Sequence, residues 1–220
     1  MLEAERLFRK WQGWIRQVLL AEFQRLLHDQ RLFDAYLENL NPYVGQREGA
    51  EIAEWIGLNY FQATCIVLRR LDDADRRSIS LRRLLADLKA NVQLLTSENM
   101  AKYNSKFRSH PNDERNAGKE IEEVLSKEIG VLDQFGGQIR VFVNKMVAHR
   151  DSDTFGIAIP NIGVIEKAIF CYHALFRKYA YLIAGIPCDF NNPNPLDLLP
   201  ATDQEYRKQF ARLWVSNASN

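Results

Sequence analysis

The sequence predicts an all-α fold, an up-and-down bundle of four to five main helices with extra terminal helices. Three observations predict it. Apolar residues recur at gaps of three and four along most of the chain, no segment sustains the period-two alternation of a half-buried strand, and no repeat or low-complexity tract interrupts the pattern. Helices of this kind bury one stripe each, and packing them on one another is the way to cover those stripes. The 220 residues fit one large domain better than two folds. We assign residues 1–186 to the bundle and 187–220 to a proline-rich extended tail with a short C-terminal helix.

The elements follow in order. Leu7, Trp11, Trp14, Ile15, Val18, Leu19, Phe23, Leu26 and Leu27 trace one face of a long first helix, about 2–38, which Asn41-Pro42 stops. Gly45 and Gly49 occupy a loop. A second helix, about 50–71, turns Ile52, Trp55, Ile56, Asn59, Tyr60, Ala63, Val67 and Leu71 inward, and its wide aromatic face predicts a central position. Asp72-Asp73-Ala74-Asp75 breaks the pattern, and Ser78 or Ser80 can cap a third helix over 81–95 through Leu84, Leu85, Leu88 and Val92. Ser97 is expected to cap a shorter piece ending near Phe107, before the turn cluster Ser109–Asp113. The polar stretch 113–127 reads as an exposed helix or a projecting hairpin. Another helix covers 132–149 despite Gly136-Gly137. Asn161 starts a long apolar helix, 162–184, and residues 203–215 form a final helix beyond Pro187, Pro193, Pro195 and Pro200.

Charge and cysteine usage narrow the function classes. With 29 basic against 28 acidic residues there is no global basic field, so nucleic acid would have to be met by a local patch. Cys65, Cys171 and Cys188 are odd in number and not at metal-ligand spacing, as expected of free or buried thiols in a reducing compartment. Charges at Glu3, Glu5, Arg6, Arg9 and Lys10 break up any signal-peptide apolar run. No apolar run approaches the roughly 18 uncharged residues of a membrane span. A cytoplasmic protein without metal or cofactor is expected. His28, His110 and His173 stand apart without zinc spacing, His173 reads as a core histidine, and Gly136-Gly137 follows no strand and makes no nucleotide loop. Glu114, Glu120, Glu122 and Glu123 read as a solubility face, and the four tryptophans as packing.

Two constellations carry candidate chemistry. The helix ending at His149 has a buried side of Val141, Phe142 and Met146, with Asn144, Lys145, His149 and Arg150 gathered toward its C-terminus. The negative end of a helix dipole favours a protonated imidazole, which is what general acid–base work near neutral pH requires. A terminal His that only bonds the last carbonyls is the plainer alternative. The second is Arg69-Arg70, Arg76-Arg77 and Arg82-Arg83, three basic pairs about seven apart, the spacing of a phosphate-binding stripe. Asp72, Asp73, Asp75 and Asp87 among them equally suit a charge-laced solvated face.

The run Val143-Asn144-Lys145-Met146-Val147-Ala148-His149-Arg150-Asp151 is similar to the signature of the HEPN superfamily, an Arg, a polar residue, a few further residues and a His. It looks closest to the abortive-infection branch. Asn59-Tyr60-Phe61, Val67-Leu68-Arg69-Arg70-Leu71, the acidic loop and the Ser/Leu-rich third helix resemble that branch too, so the resemblance covers roughly residues 50–185. It implies metal-independent RNA cleavage in a homodimer. The ribose 2′-hydroxyl attacks the adjacent phosphate, His149 handles protons, and Asn144 is the polar residue of the motif. The motif Arg is absent: Phe142, Val143 and Asn144 stand where it should fall. Arg140 is nearest, but nine steps at about 100° put it opposite His149 on a straight helix. Lys145, on the face of His149, and the adjacent Arg150 are the other sources of positive charge. Asp151 replaces the Tyr of the nucleotidylated subset, which counts against an adenylylating antitoxin, although an antitoxin or other protein partner fits a toxin–antitoxin role. Two readings stand beside the ribonuclease. One is a non-catalytic RNA- or protein-binding module; the other is a scaffold presenting Phe33–Tyr36 or the tail.

Overall fold

The protein is described here from a computed structural model, which describes residues 3–40, 47–105, 117–148 and 159–186. Among them the fold is all-α, a helical bundle with no strand. Its elements are α1 (Glu3–Trp14), α2 (Leu20–Leu40), α3 (Arg47–Leu71), α4 (Leu81–Ala90), α5 (Ser97–Tyr103), α6 (Ala117–Phe142) and α7 (Ile162–Ala184). A π-helical segment, Ile15–Leu19, joins α1 to α2, and another, Val143–Ala148, extends α6. Residues 113–116 of the stretch expected as an exposed helix or projecting hairpin over 113–127, the helix expected at 203–215 and the tail from Pro187 lie outside the described residues.

The long first helix buries Leu7, Phe8, Trp11, Ile15, Leu19, Phe23, Leu26 and Leu27 on one side. It is fastened to α4 by polar contacts as well. Trp11 Nε1 and Lys10 Nζ donate to Asp87 Oδ2 at 2.6 and 2.8 Å, so the buried indole has the partner its N–H requires. Helix α4 starts as the sequence predicts: Ser80 Oγ accepts from Arg83 N at 3.0 Å. It ends at Ala90, and a 3₁₀ turn, Val92–Leu94, takes up the rest of the expected helix. Thr96, rather than Ser97, caps α5, its side chain accepting from Asn99 N.

Three expectations are corrected. The exposed helix or hairpin and the helix after it form one helix, α6, because Ile121, Leu125, Leu132, Ile139 and Phe142 make a continuous buried stripe through both. The inner face of α3 carries Thr64, Cys65, Val67, Leu68 and Leu71. Trp55 is 66% exposed, and Asn59 and Ala63 also face solvent. The central helix is therefore α7, buried along most of its length between Ile165 and Ala184, which contacts α1, α3, α5 and α6. Asn161 caps it, Oδ1 accepting from Val164 N at 2.9 Å. At its other end Gly185 takes the left-handed conformation, φ 61°, which glycine adopts without a Cβ penalty. The last carbonyls of α7 are satisfied from other elements. Asn104 Nδ2 donates to Tyr181 O and Leu182 O at 2.7 and 2.9 Å, Gln12 Nε2 to Ile183 O at 3.0 Å, and Arg16 to Ala184 O. These residues border an open cleft of about 540 Å³.

Candidate functional site

Residues singled out on separate grounds meet where α3 packs against the end of α6. Arg69, in the last turn of α3, donates from Nε to Asn144 Oδ1 at 3.1 Å. Its Nη1 lies 3.8 Å from Asp73 Oδ2, and about a third of the side chain stays exposed. Behind the pair, Phe61 of α3 meets Phe142 edge to face, with centroids 5.4 Å apart, and Val143 is buried. Asn144 and Lys145, both half-buried, thus stand at the start of the π segment with their backbone anchored. A widened turn of i→i+5 hydrogen bonding inside an α-helix is uncommon and concentrates at functional sites. Here it begins at Val143, where the candidate motif begins. The arrangement places a planar guanidinium, with donors beyond the one given to Asn144, beside a polar side chain on a neighbouring helix, and such a fork suits an anion such as phosphate. His149 and Arg150 follow Ala148 in sequence and lie outside the described residues.

Arg140 is engaged elsewhere. Its Nη2 donates to Asp72 Oδ2 at 2.7 Å, while Arg82 Nε donates to Asp72 Oδ1 at 2.5 Å. Arg82 Nη2 also reaches Asp133 Oδ1 at 2.7 Å. Asp72 is only 2% exposed, so two charge-assisted bonds compensate a carboxylate removed from water. Burial alone would pull the Arg82 pKa down. The hydrogen bonds and charges of Asp72 and Asp133 outweigh it, and the net shift is upward. This clamp joins the end of α3 to α4 and α6, and it needs Gly136: a Cβ there would lie 1.9 Å from Asp72 Oδ2.

The remaining arginines of the expected stripe divide among several environments. Arg70 pairs with Glu22 of α2. Arg77 is exposed and held by Asp75, whose carboxyl those hydrogen bonds keep below its ordinary range. Arg76 is exposed, and Arg83 is half-buried behind the Ser80 cap. Solvent therefore meets Arg70, Arg76 and Arg77 rather than a run of all six. His28 is exposed on α2, and His173 is buried beside Phe23, with ring centroids 6.0 Å apart. Burial, then the charge of Arg177, lowers its pKa to about 4. Burial pushes the Cys65 thiol up to about 12. Among the described residues no group of three His, Cys, Asp or Glu side chains could hold a metal ion, and no helix is long and apolar enough to cross a membrane.

Sequence reasoning did not find the partnership of Arg69 with Asn144, nor the roles of Asp72, Asp133 and Gly136. Arg69 carried a signal as half of a basic pair. Asp72 reads in the sequence as a helix breaker and as part of a charge-laced solvated face, yet it is buried, and no local pattern points to its partners.

The model of the HEPN_AbiU2 family, described as AbiU2, matches residues 8–210. That span is wider than the region of resemblance read from the sequence, and it takes in the first helix, the Arg69–Asn144 pair and the run through His149. No curated protein and no solved structure matches the chain. The protein belongs to the HEPN_AbiU2 family, within the abortive-infection branch of the HEPN superfamily.

Proposed function

We propose that this defence-related helical protein is a metal-independent endoribonuclease of toxin–antitoxin type that acts as a homodimer, with Arg69 supplying the guanidinium its motif lacks in sequence. The observation that carries this reading is the 3.1 Å hydrogen bond from Arg69 Nε to Asn144 Oδ1. Asn144 occupies the polar position of the motif, and the arginine beside it comes from α3 instead of from the residue before it. In this reading a phosphate of RNA sits against Arg69 and Lys145. His149 moves the proton of the 2′-hydroxyl or the leaving oxygen, and the guanidinium stabilises charge on the phosphorane. Arg150 adds positive charge, and Arg70, Arg76 and Arg77 offer the exposed basic surface for flanking phosphates. The protein works in the cytoplasm, where its RNA and any antitoxin are.

A second reading rests on Arg140, the arginine nearest the motif in sequence, whose bond to Asp72 belongs to the helix clamp. It keeps the RNA- or protein-binding surface and drops the reaction. RNA cleavage by the purified protein in EDTA separates the two. The ribonuclease leaves 2′,3′-cyclic phosphate ends and loses activity in His149→Ala. Binding of RNA without cleavage, by wild type and variant alike, overturns it in favour of the binding module.

A further inference from the structure

The π-helical segment Ile15–Leu19 has no part in the proposed cleavage, yet such turns concentrate at functional sites. It sets Arg16 on the border of the cleft of about 540 Å³ at the end of α7, with Leu20 one residue beyond it. Tyr103 and Ser105 from the end of α5 and Ile186 after α7 line the cleft too, so three separate parts of the chain build it. It lies far from the Arg69–Asn144 pair. Lys178 Nζ donates to Glu128 Oε1 at 2.5 Å and Tyr172 Oη to Leu132 O at 3.3 Å, so α6 and α7 run antiparallel. Counted from the Glu128–Lys178 contact at about 1.5 Å per residue, Asn144 and Ala184 stand on the order of 30 Å apart.

We propose that this cleft is a second site, which binds a small organic oxyanion, a phosphate or carboxylate on a hydroxyl- or ring-bearing body, with Arg16 holding the charge. Among the described residues Arg16 is the one charged side chain on the cleft's border, and it pairs with no carboxylate. Its Nη2 donates to Ala184 O, which fixes the guanidinium and leaves most of the fork's donors for a ligand. The end of α7 contributes about half a negative charge. Asn104, Gln12 and Arg16 already donate to its last carbonyls, so the full positive charge of Arg16 prevails. The other walls are equally set. Gln12 Nε2 is engaged by Tyr103 O and Ile183 O at 2.8 and 3.0 Å, which leaves Oε1 to accept from a ligand hydroxyl. The Tyr103 ring is stacked on Phe8, with centroids 4.8 Å apart, and Leu20 and Ile186 offer apolar surface. Groups fixed before binding cost little to order. The volume falls within the roughly 300–1,000 Å³ of small-molecule sites, enough for a body beyond the anion itself. This site stands whether or not the protein cleaves RNA.

The test is calorimetric titration of the full chain with uridine 5′-monophosphate, benzoate and uridine. At least one of the two anions is expected to bind, and which one does so identifies the ligand as phosphate or carboxylate. Uridine, which lacks the charge, should bind at least about 10-fold more weakly than its monophosphate, and Arg16→Leu should weaken the anion by a similar factor. Arg16→Lys keeps the charge without the fork and should restore only part of the affinity. Arg69→Ala should leave binding unchanged, because the two sites share no residue. In wild type the side-chain amide NMR signals of Gln12 and Asn104 should shift during the titration, a readout that does not depend on how well Arg16→Leu folds. Binding of neither anion overturns the proposal. So does an affinity that Arg69→Ala removes and Arg16→Leu leaves intact, or a set of shifts that includes Asn144 and omits Gln12.

Discussion

Gly136 and Gly137 are neighbours on α6, yet adding one methyl group to each should act in opposite directions. At Gly137 a Cβ meets nothing within 4 Å, so Gly137→Ala gains helix propensity and is expected to stabilise by about 0.5–1 kcal/mol. At Gly136 the Cβ would lie 1.9 Å from Asp72 Oδ2. The carboxylate must retreat by more than an ångström, giving up contacts of 2.5 and 2.7 Å to Arg82 and Arg140. Overpacking of this kind costs about 1–3 kcal/mol. Removing the carboxylate outright should cost about 3 kcal/mol, the lower end for a broken buried pair. Two features keep it there: Arg140 is 45% exposed and can be rehydrated, and Arg82 keeps Asp133. The decisive variant is the double one. In an Asp72→Ala background the clash is gone, so Gly136→Ala should become neutral or stabilising, a coupling of about 2–3 kcal/mol, within the range for side chains in contact. Urea denaturation of the four proteins measures it. With each kcal/mol worth roughly 2–4 °C at this size, thermal melts would show the same order. Additive effects, or a Gly136→Ala variant as stable as Gly137→Ala, would refute the clamp.

Other consequences follow from the core. His173 is buried with its pKa lowered to about 4, from an ordinary 6.5. The native state therefore binds fewer protons than the unfolded state between those values, and stability present above pH 6.5 is lost as pH falls toward 4. Between pH 7 and 5 this group should account for a loss of about 2 kcal/mol, which His173→Phe should remove from the urea-derived stabilities. At the other end of α7, Asn104 is 3% exposed and bonds two terminal carbonyls. Asn104→Leu takes the donor from Leu182 O, while Tyr181 O keeps the Gly185 N–H, and should destabilise by about 1–3 kcal/mol in the same assay. Gly185→Ala forces a Cβ into the left-handed region and should cost about 1 kcal/mol or somewhat more.

The helices were legible in the sequence because their signals are local. Gaps of three and four, Ser80 before Leu81 and Asn161 before Ile162 each mark a helix without reference to the rest of the chain. What stayed hidden depends on distant partners. Trp55 looks like core by its chemistry, and nothing in its neighbourhood distinguishes a side chain that faces its own bundle from one left outward. The partners of Asp72 lie on α4 and α6, so the run of aspartates reads from the sequence as a helix break or a solvated charged face, not as a buried clamp. The π segment at Val143–Ala148 has the composition of an ordinary helix end, and its extra residue per turn shows only in the backbone. The candidate site was half legible. Asn144 and Lys145 were singled out by the motif, but the arginine facing Asn144 had been grouped with its sequence neighbours on α3 as a phosphate contact.

Among the described residues Arg69 and Arg140 are the arginines nearest to serving the motif, and single-turnover RNA cleavage in EDTA by Arg69→Ala and Arg140→Ala tests the choice between them most directly. Both must be measured at a temperature where circular dichroism shows each variant folded. The account predicts that Arg69→Ala lowers the cleavage rate by about 100-fold or more, the loss typical of a donor to developing charge. Arg69→Lys should fail to restore it. Arg140→Ala should melt earlier yet cleave within a few-fold of wild type. Full activity in Arg69→Ala alongside loss in a folded Arg140→Ala would contradict it.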